Sequence, residues 1–239
     1  MIDIKGVTKA FGPIAVLRSV DASFRRGRVA AVVGPNAAGK TTLIKTILGL
    51  VRADEGQVLL DGVRVDDAGE YRGRIGYMPQ FAHFPDNLTG AELVAFLTDL
   101  RGGVGHAALD EELMDQLAVR EHFDKPFRSL SGGTRQKINA AIAFLFRPEI
   151  LILDEPTAGL DPLSSSLVKD KILAERERGR TVIVTSHVMS ELEQVADDVV
   201  LLLDGRVRFA GTLDSVKRET RQATLERAVA HLMIREAAA

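Results

Sequence analysis

The sequence predicts an α/β fold: a largely parallel sheet, an antiparallel edge sheet beside it, and an inserted helical lobe. Three observations carry this. The runs "RVAAVVG" (28–34), "ILILDEP" (150–156) and "TVIVTSH" (181–187) are apolar at consecutive positions, as in strands buried on both faces. Between the second and third lies "PLSSSLVKDKILAERERG", helix-like and stopped by Gly179, which gives a βαβ rhythm. From about Phe81 to Arg147 the texture changes to helices without clear strands.

Taken in order, the opening region to about Val63 holds alternating runs such as "IDIKGV" and "GQVLLDGVRV", which suit an antiparallel edge sheet. "RRGR" at Arg25 to Arg28 reads as a solvated turn. The first buried strand follows, and then "TTLIKTILGL" as a helix. In the lobe, "TGAELVAFLTDLR" places Thr89 and Glu92 at capping-box spacing. "VVLLLDGRVRFAG" reads as a hairpin around Asp204-Gly205, and residues 213–239 as one or two terminal helices. The expected organisation is a single domain over 1–239: a core with its β subdomain in 1–80 and 148–212, the helical lobe in 81–147, and a short tail in 213–239.

A chain of 239 residues that is 46% hydrophobic can bury a sizeable core. Its 31 Lys plus Arg against 33 Asp plus Glu argue against nucleic acid as the main partner. The absence of cysteine excludes disulfides and thiolate metal sites and fits a reducing compartment. The N-terminus lacks the basic-then-apolar pattern of a signal, and no apolar run approaches the roughly 18 to 20 residues that span a bilayer. Any membrane role is therefore expected to come through a partner.

Gly34-Pro35-Asn36-Ala37-Ala38-Gly39-Lys40-Thr41 matches G-x-x-x-x-G-K-[ST], after a strand and opening a helix with Thr42. Backbone N–H groups and a helix N-terminus there surround phosphates, Lys40 neutralises β and γ oxygens, and Thr41 ligates magnesium. Ala37 occupies a position where many such loops carry glycine; its backbone either keeps φ below zero or tolerates a left-handed strain of roughly 1 kcal/mol. "ILILDEP" puts Asp154 and Glu155 at the carboxyl end of a buried strand, where ligands bind in open α/β sheets. Asp154 suits the magnesium side, through water or Thr41, and Glu155 suits the base that polarises an attacking water. Ser131, Gly132 and Gly133, just before an amphipathic helix, read on their own as an N-cap and turn; placed between Lys40 and Asp154 they read as an anion site at a helix N-terminus.

With these motifs in this order, the chain resembles the ATP-binding cassette (ABC) family of transporter ATPases from about Met1 to Thr212. The resemblance implies the ABC ATPase fold on a RecA-like P-loop NTPase core, and ATP and Mg2+ as ligands. It implies that Phe11, in "KAFG", stacks on adenine; an ordinary core or edge-strand Phe is the alternative. Gln80, closing "IGYMPQ", matches the glutamine that senses magnesium and joins core to lobe. "LSGGT" looks like the family signature, with Thr134 in place of the usual glutamine. Asp161 in "AGLDP" matches the D-loop aspartate, and His187 the switch histidine at the γ-phosphate. In this family the signature of one subunit completes the phosphate-loop site of another, so a head-to-tail homodimer around two ATP molecules is implied. A permease subunit is expected to dock near Phe81 to Leu88, where Phe81, Phe84 and Pro85 read as exposed; packing of the two phenylalanines between lobe and core is the alternative. The place implied is the cytoplasmic face of the inner or plasma membrane, as a peripheral subunit.

A finer resemblance is to the NosF-type ATPase of NosDFY systems, carried by "GPNAAGKTT" and "LSGGTRQKINAAIAFLFRPEILILDEPTAGLDP", including Ala37 and Thr134. It implies a NosY-like permease, a periplasmic NosD-like subunit and a role in maturing the copper centre of nitrous-oxide reductase. Dispersed His and few Met argue against copper binding by the chain itself. The alternatives are the ATPase of another exporter, a soluble ABC ATPase acting on nucleic acid or ribosomes, and a regulatory subunit that barely hydrolyses.

Overall fold

The computed structural model describes residues 1–65, 69–102 and 109–237. Among the described residues six strands form one sheet and four another. In the larger sheet β3 (Arg28–Val33) is central, flanked in parallel by β8 (Thr181–Thr185) and β9 (Asp198–Leu203). β7 (Ile150–Asp154) and β6 (Ile75–Met78) continue it in parallel beyond β8, and β10 (Arg206–Thr212) closes the other edge antiparallel to β9. Every residue of β7, β8 and β9 is buried, which is why these runs are continuously apolar rather than alternating.

Alternate side chains of the larger sheet enter two different cores. Ala30, Val32, Ile152 and Ile183 pack with Leu43, Ile44 and Ile47 of α1 (Lys40–Ile47) and with the smaller sheet. That sheet runs β2 (Ile14–Phe24), β1 (Ile2–Phe11), β4 (Glu55–Leu60), β5 (Val63–Arg64), all antiparallel. On the opposite face, Val29, Ala31, Leu151 and Val182 pack against α4 (Gly132–Leu145), α5 (Pro162–Glu177), α6 (Met189–Val195), α7 (Leu213–Thr220) and α8 (Leu225–Ala237). Both faces are thereby dry, and the carboxyl ends of β3, β7 and β8 are left as the polar rim.

The hairpin turn at Asp204-Gly205 is present, both residues having left-handed φ (47° and 75°) as a two-residue loop with strand-matching twist requires. The sequence reading missed that β9 is also an interior parallel strand beside β3. Thr89 makes the expected capping box with Glu92 at the start of α2 (Gly90–Leu100). Among the described residues between α2 and α4 are α3 (Glu112–Gln116) and short 3-10 turns, and an isolated bridge joins Thr89 to Pro126.

Two expectations need correction. "RRGR" is a turn, but its arginines are not merely solvated: Arg25 and Arg28 both bond Asp198 at the start of β9, and Arg26 bonds Asp61. Phe84 does not present its ring freely, because it stacks on buried Phe127 at 4.4 Å; Phe81 is 70% exposed. Stacking on a buried ring removes more apolar area from water than an open loop position does, and Phe84 follows that gain.

Candidate functional site

The rim formed by the ends of β3, β7 and β8 encloses a cavity of about 330 Å³. Residues 36–42, Gln80, Asp154, Glu155 and His187 line it, with Ile14 and Val16 of β2 as an apolar wall. Lys40 folds back on its own loop, its Nζ donating to the carbonyls of Gly34 (2.7 Å) and Pro35 (3.0 Å). Burial lowers its pKa, while Glu155 and Asp154 pull the other way. A cation held by carbonyls and facing two carboxylates is a ready partner for an entering polyanion.

The loop's path explains its composition. Gly34 has φ 152°, and a Cβ there would lie 2.1 Å from the carbonyl oxygen of Leu202, so no larger residue fits. Ala37 has φ 63°, so of its two expected outcomes the strained one holds.

Asp154 and Glu155 are 8% and 7% exposed. Asp154 Oδ1 accepts from the Thr185 hydroxyl at 2.5 Å. Glu155 sits at a left-handed φ of 55°, its N–H donating to the carbonyl of Thr185 at 3.1 Å. His187 approaches the same carboxylate twice: its N–H donates to Oε2 (3.3 Å), and its Nε2 stands 3.2 Å from Oε1. Burial, followed by the charge of Asp154, raises the pKa of Tyr77 on neighbouring β6.

Gln80 lines the cavity, and its segment is fastened to α4: Asn139 Nδ2 donates to the carbonyl of Pro79 at 2.9 Å and Gln136 Nε2 reaches that of Gln80 at 3.5 Å. Besides Gly34 and Pro35, which are not among its lining residues, three groups of expected site residues lie outside the cavity. Phe11 is half-exposed under Lys9 Nζ and pairs with Ile14 across the strands. Ser131 to Gly133 open α4, where the Ser131 hydroxyl accepts from the N–H of Thr134 and meets its hydroxyl at 2.9 Å. Asp161 caps α5 by accepting from Ser164 and is ion-paired to Lys137 of α4 at 2.8 Å.

Sequence reasoning missed Ile14, Val16, Gln136, Asn139, Lys137 and Thr185. For Thr185 a signal existed: setting "ILILD" beside "TVIVT" in parallel register pairs Asp154 with Thr185, as the strands do. A larger cavity, about 480 Å³, lies among Asp110, Glu112, Arg147 and Arg178. Most of its charges are spent on ion pairs centred on buried Lys171, which bonds Asp110 and Glu112, while Arg147 donates to the carbonyl of Leu109.

Residues 17–158 match the family described as "ABC transporter". The chain belongs to this family. It is 35% identical over 222 residues to the daunorubicin resistance ATP-binding protein DrrA3 of Streptomyces coeruleorubidus, covering 92% of this chain and 70% of that one. It is 31% identical over 219 residues to the uncharacterized ABC transporter ATP-binding protein YcbN of Bacillus subtilis, covering 91% and 71%. A solved structure of the ATP binding subunit of an ABC transporter superposes with a TM-score of 0.91 at 28% identity, over 98% of this chain and 99% of that one. The post-hydrolysis dimer of the cassette MJ0796 bound to ADP and Pi superposes at 0.77 with 25% identity, over 89% and 98%. This ABC protein has the fold of an ATPase cassette, is an ATP hydrolase, and is the ATP-binding subunit of an ABC transporter. Among the described residues no helix is long and apolar enough to cross a membrane.

Proposed function

We propose that this chain is one half of an ATP-driven motor that powers a membrane permease, working as a homodimer with two ATP molecules held between two copies. The observation that carries the reading is a separation: the phosphate loop, Gln80, Asp154, Glu155 and His187 share one cavity, while Ser131 to Gly133 lie outside it, with Ser131 and Gly132 exposed. A second copy turned head to tail would bring its signature over that cavity, and the dimeric state of the related cassette MJ0796 supports this. Binding drives closure in so far as ATP prefers the closed state, since a ligand that binds both states equally shifts nothing.

Within the site, backbone N–H groups of residues 34–42 and Lys40 Nζ hold the phosphates, and Phe11 with Ile14 and Val16 offers apolar surface to the base. Glu155 takes a proton from the attacking water as that oxygen bonds to the γ-phosphorus; the bond from phosphorus to the bridging oxygen breaks and ADP leaves. His187 holds the Glu155 carboxylate in place, and Asp161 belongs to the turn that meets the partner. Thr41 and Asp154 bring oxygen donors to one cavity wall, a donor set that fits magnesium. When bound, that ion would supply charge neutralisation at the phosphates, and Gln80, lining the same cavity, is the residue that would sense it.

Residues 81–147 form the lobe that receives the permease, with Phe81 as its exposed contact near Phe81 to Leu88, and the chain lies peripherally on the cytoplasmic face. Residues 1–80 and 148–212 form the core and 213–239 a tail. For cargo, Ala37 and Thr134 support a NosDFY system, with NosY-like and NosD-like partners, serving the copper centre of nitrous-oxide reductase. The second reading is another exporter, favoured by the resemblance to DrrA3 and to the bacitracin transport protein BcrA of Enterococcus faecalis.

Glu155→Gln tests the core reading. Turnover is expected to fall by about 10²-fold or more while ATP binding persists and a nucleotide-loaded dimer accumulates on size exclusion. Unchanged steady-state hydrolysis removes Glu155 from its role. Mass spectrometry of what co-purifies from native membrane decides the cargo: a multi-span permease beside a periplasmic repeat protein supports the Nos assignment, and a drug permease overturns it.

A further inference from the structure

We infer that Thr185 is a positioning residue for hydrolysis: its single hydroxyl sets both acidic groups at the end of β7. The inference rests on the roles proposed above for Asp154 and Glu155. Thr185 is fully buried, at the last position of β8, and pairs in parallel register with Asp154. A hydroxyl has one proton to give and two lone pairs. The proton goes to Asp154 Oδ1 at 2.5 Å, so the oxygen can only accept from the other neighbour, the N–H of Glu155, at 3.2 Å. The carbonyl of the same residue accepts from that N–H at 3.1 Å. Glu155 is thus gripped by both acceptors of Thr185 where its backbone is left-handed, a conformation an L-residue adopts only when its surroundings impose it.

The arrangement does more than stabilise a turn. Among the described residues the Thr185 hydroxyl is the one hydrogen-bond donor to the Asp154 carboxylate. Without it Asp154 can rotate away from the wall it shares with Thr41. The grip on the Glu155 N–H fixes the direction in which that side chain leaves the strand, and hence where its carboxylate meets His187. Only Ser186 separates Thr185 from His187, so one strand end aligns the carboxylate on the magnesium side, the base and the histidine together. A misplacement of the order of 1 Å in such a group costs about 100-fold in rate.

The test compares Thr185→Val, which keeps the shape and removes the hydroxyl, with Thr185→Ser, which keeps the hydroxyl. In the purified full chain, Thr185→Val is expected to lower kcat by about 10- to 100-fold with KM for ATP unchanged. It should also raise the Mg2+ concentration for half-maximal binding of a fluorescent ATP analogue, a readout that needs no turnover. Thr185→Ser should restore most of both. Should Thr185→Val not fold, Thr185→Cys against Thr185→Ser gives the same contrast, since a thiol is a weak donor; equal rates for those two overturn the inference. So does a Val variant with wild-type kcat and Mg2+ dependence, or a Ser variant as impaired as Val. Glu155→Gln measured in parallel separates the two levels: if it is inactive while Thr185→Val is normal, only Thr185 loses its role, whereas an active Glu155→Gln removes the catalytic reading beneath it.

Discussion

At the carboxyl ends of β3, β7 and β8 polar groups are buried and spent on one another, whereas at the amino end of α4 they are few and turned outward. The first region carries two left-handed non-glycine residues, Ala37 and Glu155, two acids less than a tenth exposed, and a lysine bonded to its own loop. The second has Ser131 capping its helix and two glycines, one at an exposed position where an added Cβ would meet nothing within 4 Å. A prearranged pocket needs strain and burial because its dipoles must already point where charge will arrive. A surface that meets another copy needs room, and the glycines leave it.

The comparison breaks most completely if both halves of a site belong to one chain. Lys40→Ala disables the phosphate-loop half and Gly132→Asp the signature half, so each variant alone should lose hydrolysis. Mixed in equal amounts they should recover roughly a quarter of wild-type activity, because half of the symmetric dimers are mixed and each of those has one intact composite site. A mixture as inactive as its components removes the shared site.

A smaller effect sharpens the contrast in backbone strain. Ala37→Gly relieves a left-handed residue worth about 1 to 2 kcal/mol, less the added freedom of glycine in the unfolded chain, for a net gain of about 0.5 to 1 kcal/mol in urea unfolding. Hydrolysis should persist, since the loop's path is unchanged. Gly132→Ala should show the reverse pattern: unstrained and unobstructed within the chain, it keeps its stability while losing activity at the surface offered to the partner. If Ala37→Gly destabilises the protein, the strain reading of the loop is wrong.

The sequence made the two regions legible to different depths. Local rules carried the phosphate loop, the Thr89 capping box, the Gly179 stop and the two-residue hairpin turn, because each depends on neighbours within a few residues. Registers and side-chain couplings at long range were not readable: Asn139 to Pro79 spans 60 residues and Thr185 to Asp154 spans 31. The positive φ of Glu155 has no signature in its residue type, and Phe84 left the predicted surface because Phe127 offered it a ring, which only the fold brings near. The separation of the signature from the cavity came from the family resemblance, since an N-cap with two glycines reads the same whether it faces inward or out.

The smallest expected effect lies where the two regions are tied. Asp161 caps α5, which follows β7, and its carboxylate also pairs with Lys137 on α4, one turn after Gly132 and Gly133. Lys137 first, then the N–H and hydroxyl of Ser164, hold that carboxyl well below the usual carboxylate range. A carboxyl with a depressed folded pKa contributes stability above its unfolded value, and the contribution is lost as pH falls towards the folded one. Asn caps helices as well as Asp but cannot pair with Lys137. Asp161→Asn should therefore melt slightly below wild type at neutral pH, by less than Asp161→Ala, which also loses the cap. The gap between wild type and Asp161→Asn should close as pH falls below about 4, and should shrink with added salt because the pair is exposed. A gap that stays constant from neutral to acid pH does not come from the charge on Asp161, and the pair with Lys137 then does not tie α4 to the end of β7.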